Sequence, residues 1–137
     1  LLKEIDAGLL NIDTYNDFQK VSEKVSYDLL TFLIDQKYQN KKVAAYGAAA
    51  KGNTLLNYAG IKTGLLSFVC DAAESKQGKY LPGSHIPILA PEEIKKQKPD
   101  YVLILPWNLA DEITSQLSYI REWNGKFVKA IPKLQIL

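Results

Sequence analysis

The sequence predicts an α/β fold, because short apolar runs rich in β-prone residues alternate with segments whose apolar residues recur every three or four positions. The strongest of these runs end in glycine, aspartate or proline, as parallel strands do before a crossover helix. We therefore expect a Rossmann-like, open, mainly parallel sheet of about five strands with helices on both faces, preceded by a long N-terminal helix. All 137 residues should form one domain, with a leading segment and helix at 1–40 and the sheet core at 41–137.

The first element is the long helix. Residues 1–12 have no clear period, and Asp13 and Thr14 then stand where an N-cap is expected. The helix should end near Asn40. Its apolar face is formed by residues at helical spacing, which are Phe18, Val21, Val25, Leu29, Phe32 and Leu33.

Strands and helices then alternate along the core. The expected strands are 42–47, 65–71, 86–89, 101–105 and 126–131. The expected helices are 53–58, a short one opened by Pro91 and stopped by Pro99, and 109–124, with Asn108 as its N-cap and Gly125 at the C′ position. Residues 72–89 contain too many glycines and prolines for any regular element except the brief strand at 86–89.

Composition excludes several classes of protein. The net charge is +2 with scattered lysines, so a nucleic-acid partner is not expected. No apolar run approaches the roughly 20 residues of a membrane span, and a membrane partner is not expected either. The single cysteine excludes an internal disulfide and a cysteine-based zinc site, which favours a cytoplasmic location. The absence of methionine suggests a fragment of a longer protein.

The segment VAAYGAAAKGN, residues 43–53, has the pattern of a phosphate-binding turn between a strand and a helix. Gly47, Ala49 and Gly52 fit G-x-A-x-x-G, which differs from the dinucleotide motif by one methyl group. Lys51 could neutralise a phosphate while the amides of Gly52 and Asn53 donate to it. Alternatively, the glycines only permit a tight turn and close helix packing, and Lys51 is solvated.

Asp71 follows the second predicted strand at about the offset from the glycine turn at which dinucleotide folds place the acid that binds a ribose hydroxyl. The alternative is a strand-end aspartate that begins a turn.

Other polar and aromatic residues should meet at the same sheet edge. Trp107 could stack on a ring, and Asn108 could bond a hydroxyl group; alternatively, Trp107 fills space and Asn108 only caps a helix. Lys79 and Tyr80 could belong to a lid or be ordinary loop residues. His85, the only histidine, could be a lone general base or be bonded to backbone. The acidic pairs 92–93 and 111–112 suit helix N-termini and receive no catalytic role.

Three segments together resemble a known family: YGAAAKGNTLLNYAGI, DAAESKQGKYLPGSHIPI and PDYVLILPWNLADEI. They are similar to the C-terminal domain of S-adenosylmethionine-dependent C-methyltransferases that act on nucleotide-linked sugars. The resemblance runs from about residue 42 to 132.

The resemblance implies an enzyme with a zinc-binding N-terminal region, a central methyltransferase domain and this C-terminal domain. The substrate, a nucleoside-diphosphate keto-sugar, would lie between the last two domains. Loss of a proton beside the ketone would give an enolate that attacks the donor methyl group. The base, the donor site and the zinc would lie outside these residues, so we expect this chain alone to be inactive and to bind neither S-adenosylmethionine nor zinc.

We therefore expect no catalytic residue and no metal ligand in this chain, and we expect contacts to the substrate and to the central domain. Two other functions stay open: a stand-alone module for NAD(P) or coenzyme A, and a degenerate Rossmann domain that serves only as a protein interface. The expected substrate-binding residues are Gly47, Lys51, Gly52, Asn53, Asp71, Lys76, Lys79, Tyr80, His85, Trp107 and Asn108.

Overall fold

The computed structural model describes residues 12–137, with side chains described from residue 23 onward. A long helix, α1, covers Ile12–Tyr38. The elements that follow are β1 (Val43–Tyr46), α2 (Ala50–Ala59), β2 (Val69–Cys70), β3 (Ile88–Leu89), α3 (Glu92–Gln97), β4 (Tyr101–Ile104), α4 (Ala110–Gln116), β5 (Lys126–Lys129) and β6 (Gln135–Ile136). Short 3-10 helices at Trp107–Leu109 and Ser118–Trp123 flank α4.

The sheet has six strands in the order β3-β2-β1-β4-β5-β6. Strands β1 to β5 are parallel, and β6 runs antiparallel to β5. The chain moves outward from β1 to β3 and then returns to the other side of β1 with β4. The order therefore reverses between β1 and β4, where ligands bind in open parallel sheets. The predicted Rossmann-like fold is confirmed, with one more strand than the five expected.

The sheet is covered on both faces, so its short strands bury alternate residues in two separate cores. Val43 and Ala45 of β1 face a core formed with α1 and α2. Ala44 and Tyr46 face a second core, which also contains Ile113 and the other apolar residues of α4.

Helix α1 packs on the sheet through the apolar face that the sequence predicted. Leu29 is fully buried, and Phe32 meets Tyr101 of β4 edge to face, with ring centroids 5.1 Å apart. The helix ends close to the expected position, and Asn40 adopts a left-handed φ of 60°. The expected N-cap at Asp13 and Thr14 is wrong, because α1 already includes these residues. The side chains of Phe18 and Val21 lie outside the described set.

Two predicted elements differ because local turns interrupt them. The strand expected at 65–71 is reduced to Val69–Cys70, since the amides of Leu65 and Leu66 both donate to Lys62 O in a turn. The helix expected at 109–124 is a 3-10 turn, α4 and a second 3-10 helix.

The predicted ends of that last helix also differ. Asn108 lies inside the first 3-10 helix, and among the described residues no side chain caps that helix or α4, so the predicted N-cap is wrong. Asn124 rather than Gly125 adopts the left-handed conformation at the C-terminal end, with φ 63°. Helix α2 begins at Ala50, three residues before the expected Asn53, so Lys51 lies in its first turn.

Candidate functional site

A cavity of about 260 Å³ lies at the carboxyl ends of β1 and β4, where the strand order reverses. One wall comes from the turn into α2 and the other from the residues after β4. We call it the switch-point cavity. Its lining residues are Ala49, Ala50, Lys51, Leu105, Pro106, Trp107 and Asn108.

Gly47 lets the two walls approach each other. Its φ is +90°, and a Cβ built on it would lie 2.5 Å from Pro106 Cδ. Its amide donates to Cys70 O at 2.7 Å, which extends the β1–β2 ladder into the turn. Glycine is therefore required for both the backbone conformation and the close contact with Pro106.

Gly52 has a packing role within α2. It is buried, and an added Cβ would lie 2.6 Å from Leu105 Cβ, so α2 packs directly on the segment after β4. Ala49, in place of the middle glycine of the motif, has φ −87° and ψ 150°. These are ordinary extended angles, so alanine fits there without strain.

The N-terminus of α2 faces this cavity in a form suited to an anion. Within residues 12–137, no side-chain hydrogen bond caps the helix, and its first turn contains no acidic residue. The first amides of a helix lack partners within it and carry partial positive charge. The side chain of Lys51, which is exposed, adds a full charge in the same turn.

The opposite wall offers an aromatic ring and an amide. Trp107 is half-buried and Asn108 is exposed, both in the 3-10 turn after β4. An indole can pack against a ring or sugar face, and an amide can both donate to and accept from a hydroxyl group. The cavity therefore combines a cationic wall with a wall able to bind a sugar or a base.

Asp71, directly after β2, is bonded to the glycine turn. Its Oδ2 accepts the amide of Ala48 at 2.8 Å, and its Oδ1 accepts the amide of Ala73 at 2.8 Å. Lys76 Nζ lies 3.8 Å from Oδ2 and donates to Ala48 O at 3.2 Å. The carboxylate thus begins a turn and also connects the loops after β1 and β2.

The loop after Lys76 folds into a narrow hairpin. The amide of Gly78 donates to Ile88 O, and the amide of Ile88 donates to Lys79 O. Tyr80 pairs with Pro87 in an antiparallel bridge. The tip packs on α2, where Asn57 Nδ2 donates to Pro82 O at 3.0 Å. His85 is exposed in the turn with φ 58°. Residues 79, 80 and 85 do not line the switch-point cavity.

The expected site residues thus occupy different places. Lys51, Trp107 and Asn108 line the cavity. Gly47 and Gly52 shape its walls, while residues 71 and 76 hold the turn. Residue 53, the asparagine of α2, does not line the cavity, and its Oδ1 is buried without a hydrogen-bond partner among the described residues. Residues 49, 50, 105 and 106 also line the cavity but were not among the expected site residues, although their positions at two strand ends were an available signal.

Burial raises the pKa of two titratable groups, one at the end of β1 and one at the end of β2. Burial, and then the charge of Asp71, raises the pKa of Tyr46 above its usual value of 10.0. Burial, and then the charge of Glu93, raises the pKa of Cys70 from 9.0 to about 12. The thiol donates to Ala90 O at 3.2 Å. Both groups are therefore uncharged at neutral pH.

We expect Cys70 to react slowly with a thiol reagent in the folded domain and rapidly after unfolding, because the thiolate is the reactive species.

Above about pH 9 the unfolded thiol of Cys70 loses its proton while the folded thiol keeps it up to about pH 12, so stability should fall as pH rises through this window. Over this pH range, the melting temperature should fall less steeply with pH in Cys70→Ala than in the unmodified chain. An equal slope in both proteins would contradict the prediction.

A larger hollow of about 520 Å³ lies elsewhere, between α3 and the second 3-10 helix. Lys95 Nζ sits 4.6 Å from the ring centroid of Tyr119, and Lys98 and Glu122 are exposed beside it. The C-terminal end of α3 carries a partial negative charge, which disfavours an anion. The lysines at this end compensate that charge. We therefore place the functional site at the switch-point cavity.

A family model for the C-methyltransferase C-terminal domain matches residues 1–132. The chain belongs to this family. The chain is 36% identical over 137 residues to the C-methyltransferase NovU of Streptomyces niveus, a match that covers 100% of this chain and 33% of NovU. The domain thus spans about a third of the length of this relative.

The fold of this C-methyltransferase C-terminal domain is similar to the crystal structure of UDP-D-quinovosamine 4-dehydrogenase from Vibrio fischeri. The TM-score is 0.51 at 20% identity, with 71% of this chain and 93% of that chain covered. Over residues 12–137, no helix is both long and apolar enough to cross a membrane. Among residues 23–137, whose side chains the structure describes, no group of three or more His, Cys, Asp or Glu side chains is placed to bind a metal ion.

Proposed function

We propose that this domain forms the substrate side of an S-adenosylmethionine-dependent C-methyltransferase that acts on a nucleoside-diphosphate keto-sugar. The family membership supports the methyltransferase part. The switch-point cavity carries the substrate part, because it joins a helix N-terminus and Lys51 to the indole of Trp107 and the amide of Asn108.

The diphosphate would bind at the N-terminus of α2, where backbone amides and Lys51 favour negative charge. A sugar or base ring would lie against Trp107, and Asn108 would bond a hydroxyl group. At about 260 Å³ the cavity is smaller than the roughly 300–1,000 Å³ of sites that enclose a small molecule. The rest of a nucleotide sugar would then contact another domain of the enzyme.

The methyl donor and the zinc are assigned to other domains in this proposal. A nucleoside donor in this crevice would need a free acid for its ribose, but both oxygens of Asp71 already accept backbone amides. His85 is exposed in a hairpin turn and does not line the switch-point cavity, so it is not assigned the role of base. The domain would bind and orient the substrate, and the chain alone would be inactive.

We expect Lys51→Ala to weaken binding of a uridine- or thymidine-diphosphate sugar about tenfold, the scale of one hydrogen bond to a charged group. Calorimetric titration of the folded chain measures this. Lys62→Ala is the matched control, because Lys62 is an exposed lysine in the turn after α2 and does not line the cavity. Equal affinities for Lys51→Ala and the unmodified chain would count against the proposed phosphate position.

The strand order also suits a stand-alone NAD-binding module. Titration with NAD separates the two functions. Saturable binding of NAD, with no response to either nucleotide sugar, would favour the module over the methyltransferase domain.

A further inference from the structure

We propose that Asp71 is a positioning residue, which uses Lys76 to hold the glycine turn in place beside the cavity and does not itself bind ribose. The inference rests on the proposed function, since the turn is taken to bind the anionic part of a nucleotide sugar. Asp71 and Lys76 together are called the turn clamp.

The turn clamp holds both backbone polar groups of one residue, Ala48. Asp71 Oδ2 accepts the Ala48 amide at 2.8 Å, and Lys76 Nζ donates to the Ala48 carbonyl oxygen at 3.2 Å. Hydrogen bonds with one ionised partner are shorter and stronger than neutral ones. Ala48 lies between Gly47, which contacts Pro106, and Ala49, the residue before α2. Its orientation therefore determines where the first amides of α2 point.

The carboxylate is itself fixed from the other side. Asp71 Oδ1 accepts the Ala73 amide at 2.8 Å, and Gln77 Nε2 donates to the Asp71 carbonyl oxygen at 2.8 Å. Only 15% of the Asp71 side chain is exposed. A ribose hydroxyl would have to share oxygens that already accept backbone amides, which makes a positioning role the better fit.

The clamp also places an ion pair at the turn. Lys76 is 47% exposed and lies 3.8 Å from Asp71 Oδ2, so its ammonium group is oriented but not buried. A partly exposed pair of this kind adds little stability by itself. Its value lies in holding the Ala48 N–H and carbonyl oxygen in fixed directions.

The chain contains a matched carboxylate at the other end of β1. Asp100 Oδ2 accepts the amide of Lys42 at 2.8 Å, directly before β1 begins, whereas Asp71 bonds the turn directly after β1 ends. Each aspartate accepts one backbone amide from a residue that flanks β1, and Asp71 accepts a second amide, from Ala73. Asp100→Asn therefore reports the structural cost of weakening such a bond away from the cavity.

The test compares Asp71→Asn, Lys76→Ala and Asp100→Asn in the 137-residue chain. Asparagine keeps the size of aspartate but retains one acceptor oxygen, so one of the two amides loses its partner. We expect Asp71→Asn to speed hydrogen exchange of the Ala48 amide and to weaken binding of the nucleotide-diphosphate sugar about tenfold. Lys76→Ala should weaken binding severalfold, and Asp100→Asn should leave affinity unchanged.

Three results would overturn the inference. One is unchanged affinity in Asp71→Asn while Lys51→Ala binds more weakly, which leaves the proposed function intact. Another is loss of NAD binding in Asp71→Asn, which identifies a ribose ligand. The third is Ala48 exchange no faster in Asp71→Asn than in Asp100→Asn. Exchange is measured without ligand, so it decides the positioning role even if no nucleotide sugar binds and the proposed function fails.

Discussion

Replacing Gly47 with alanine is expected to destabilise the domain by about 3 kcal/mol. A left-handed conformation costs a residue with a Cβ about 1–2 kcal/mol. In addition, the new methyl group would lie 2.5 Å from Pro106 Cδ, and overpacking of this kind costs about 1–3 kcal/mol. Urea unfolding, followed by far-UV circular dichroism, measures the loss.

Two other glycines separate the causes of this loss. Gly60 has φ +72° with no atom near an added Cβ, so Gly60→Ala should cost only the conformational part, about 1 kcal/mol. Gly64 has open space and no left-handed φ, so Gly64→Ala should be neutral or slightly stabilising. If Gly47→Ala costs no more than Gly60→Ala, the contact with Pro106 is not a constraint.

The same substitution should disturb the site. Pro106 and Trp107 form one wall of the cavity, and a methyl group on residue 47 can be accommodated only if that wall moves. We therefore expect the remaining folded Gly47→Ala protein to bind a nucleotide sugar more weakly, whereas Gly60→Ala keeps its affinity.

Replacing Phe32 with alanine is the second change with a large expected effect, a loss of about 3–4 kcal/mol. Phe32 is 8% exposed, belongs to the core between α1 and the sheet, and packs edge to face on Tyr101. Truncation would leave a cavity between α1 and β4. Denaturant unfolding checks the prediction through the shift of the transition midpoint.

Ile34→Ala is the matched control. It removes an apolar side chain from the same helix, but Ile34 is 37% exposed, so the expected loss is below about 1 kcal/mol. Similar small effects for both variants would indicate that α1 is only loosely attached. A large effect confined to Phe32→Ala would show that α1 is a structural part of this domain.

The sequence by itself determined the features that depend on local pattern. Helical spacing located the buried face of α1, since every third or fourth residue lies on one side of a helix. Apolar runs located β1 and β4 to within one residue at each end. The alternation of these elements predicted the parallel sheet, because a crossover helix is the usual connection between parallel strands.

Only the tertiary structure decided the roles of residues whose partners are distant in sequence. Asp71 had the position of a ribose ligand, yet its oxygen accepts the amide of Ala48, 23 residues earlier. Gly52 fitted a phosphate motif, but its missing side chain makes room for Leu105. Strand β6 is two exposed residues whose pairing with β5 no local period signals. Sequence spacing records which groups follow one another, whereas hydrogen bonds and packing depend on which groups the sheet brings together.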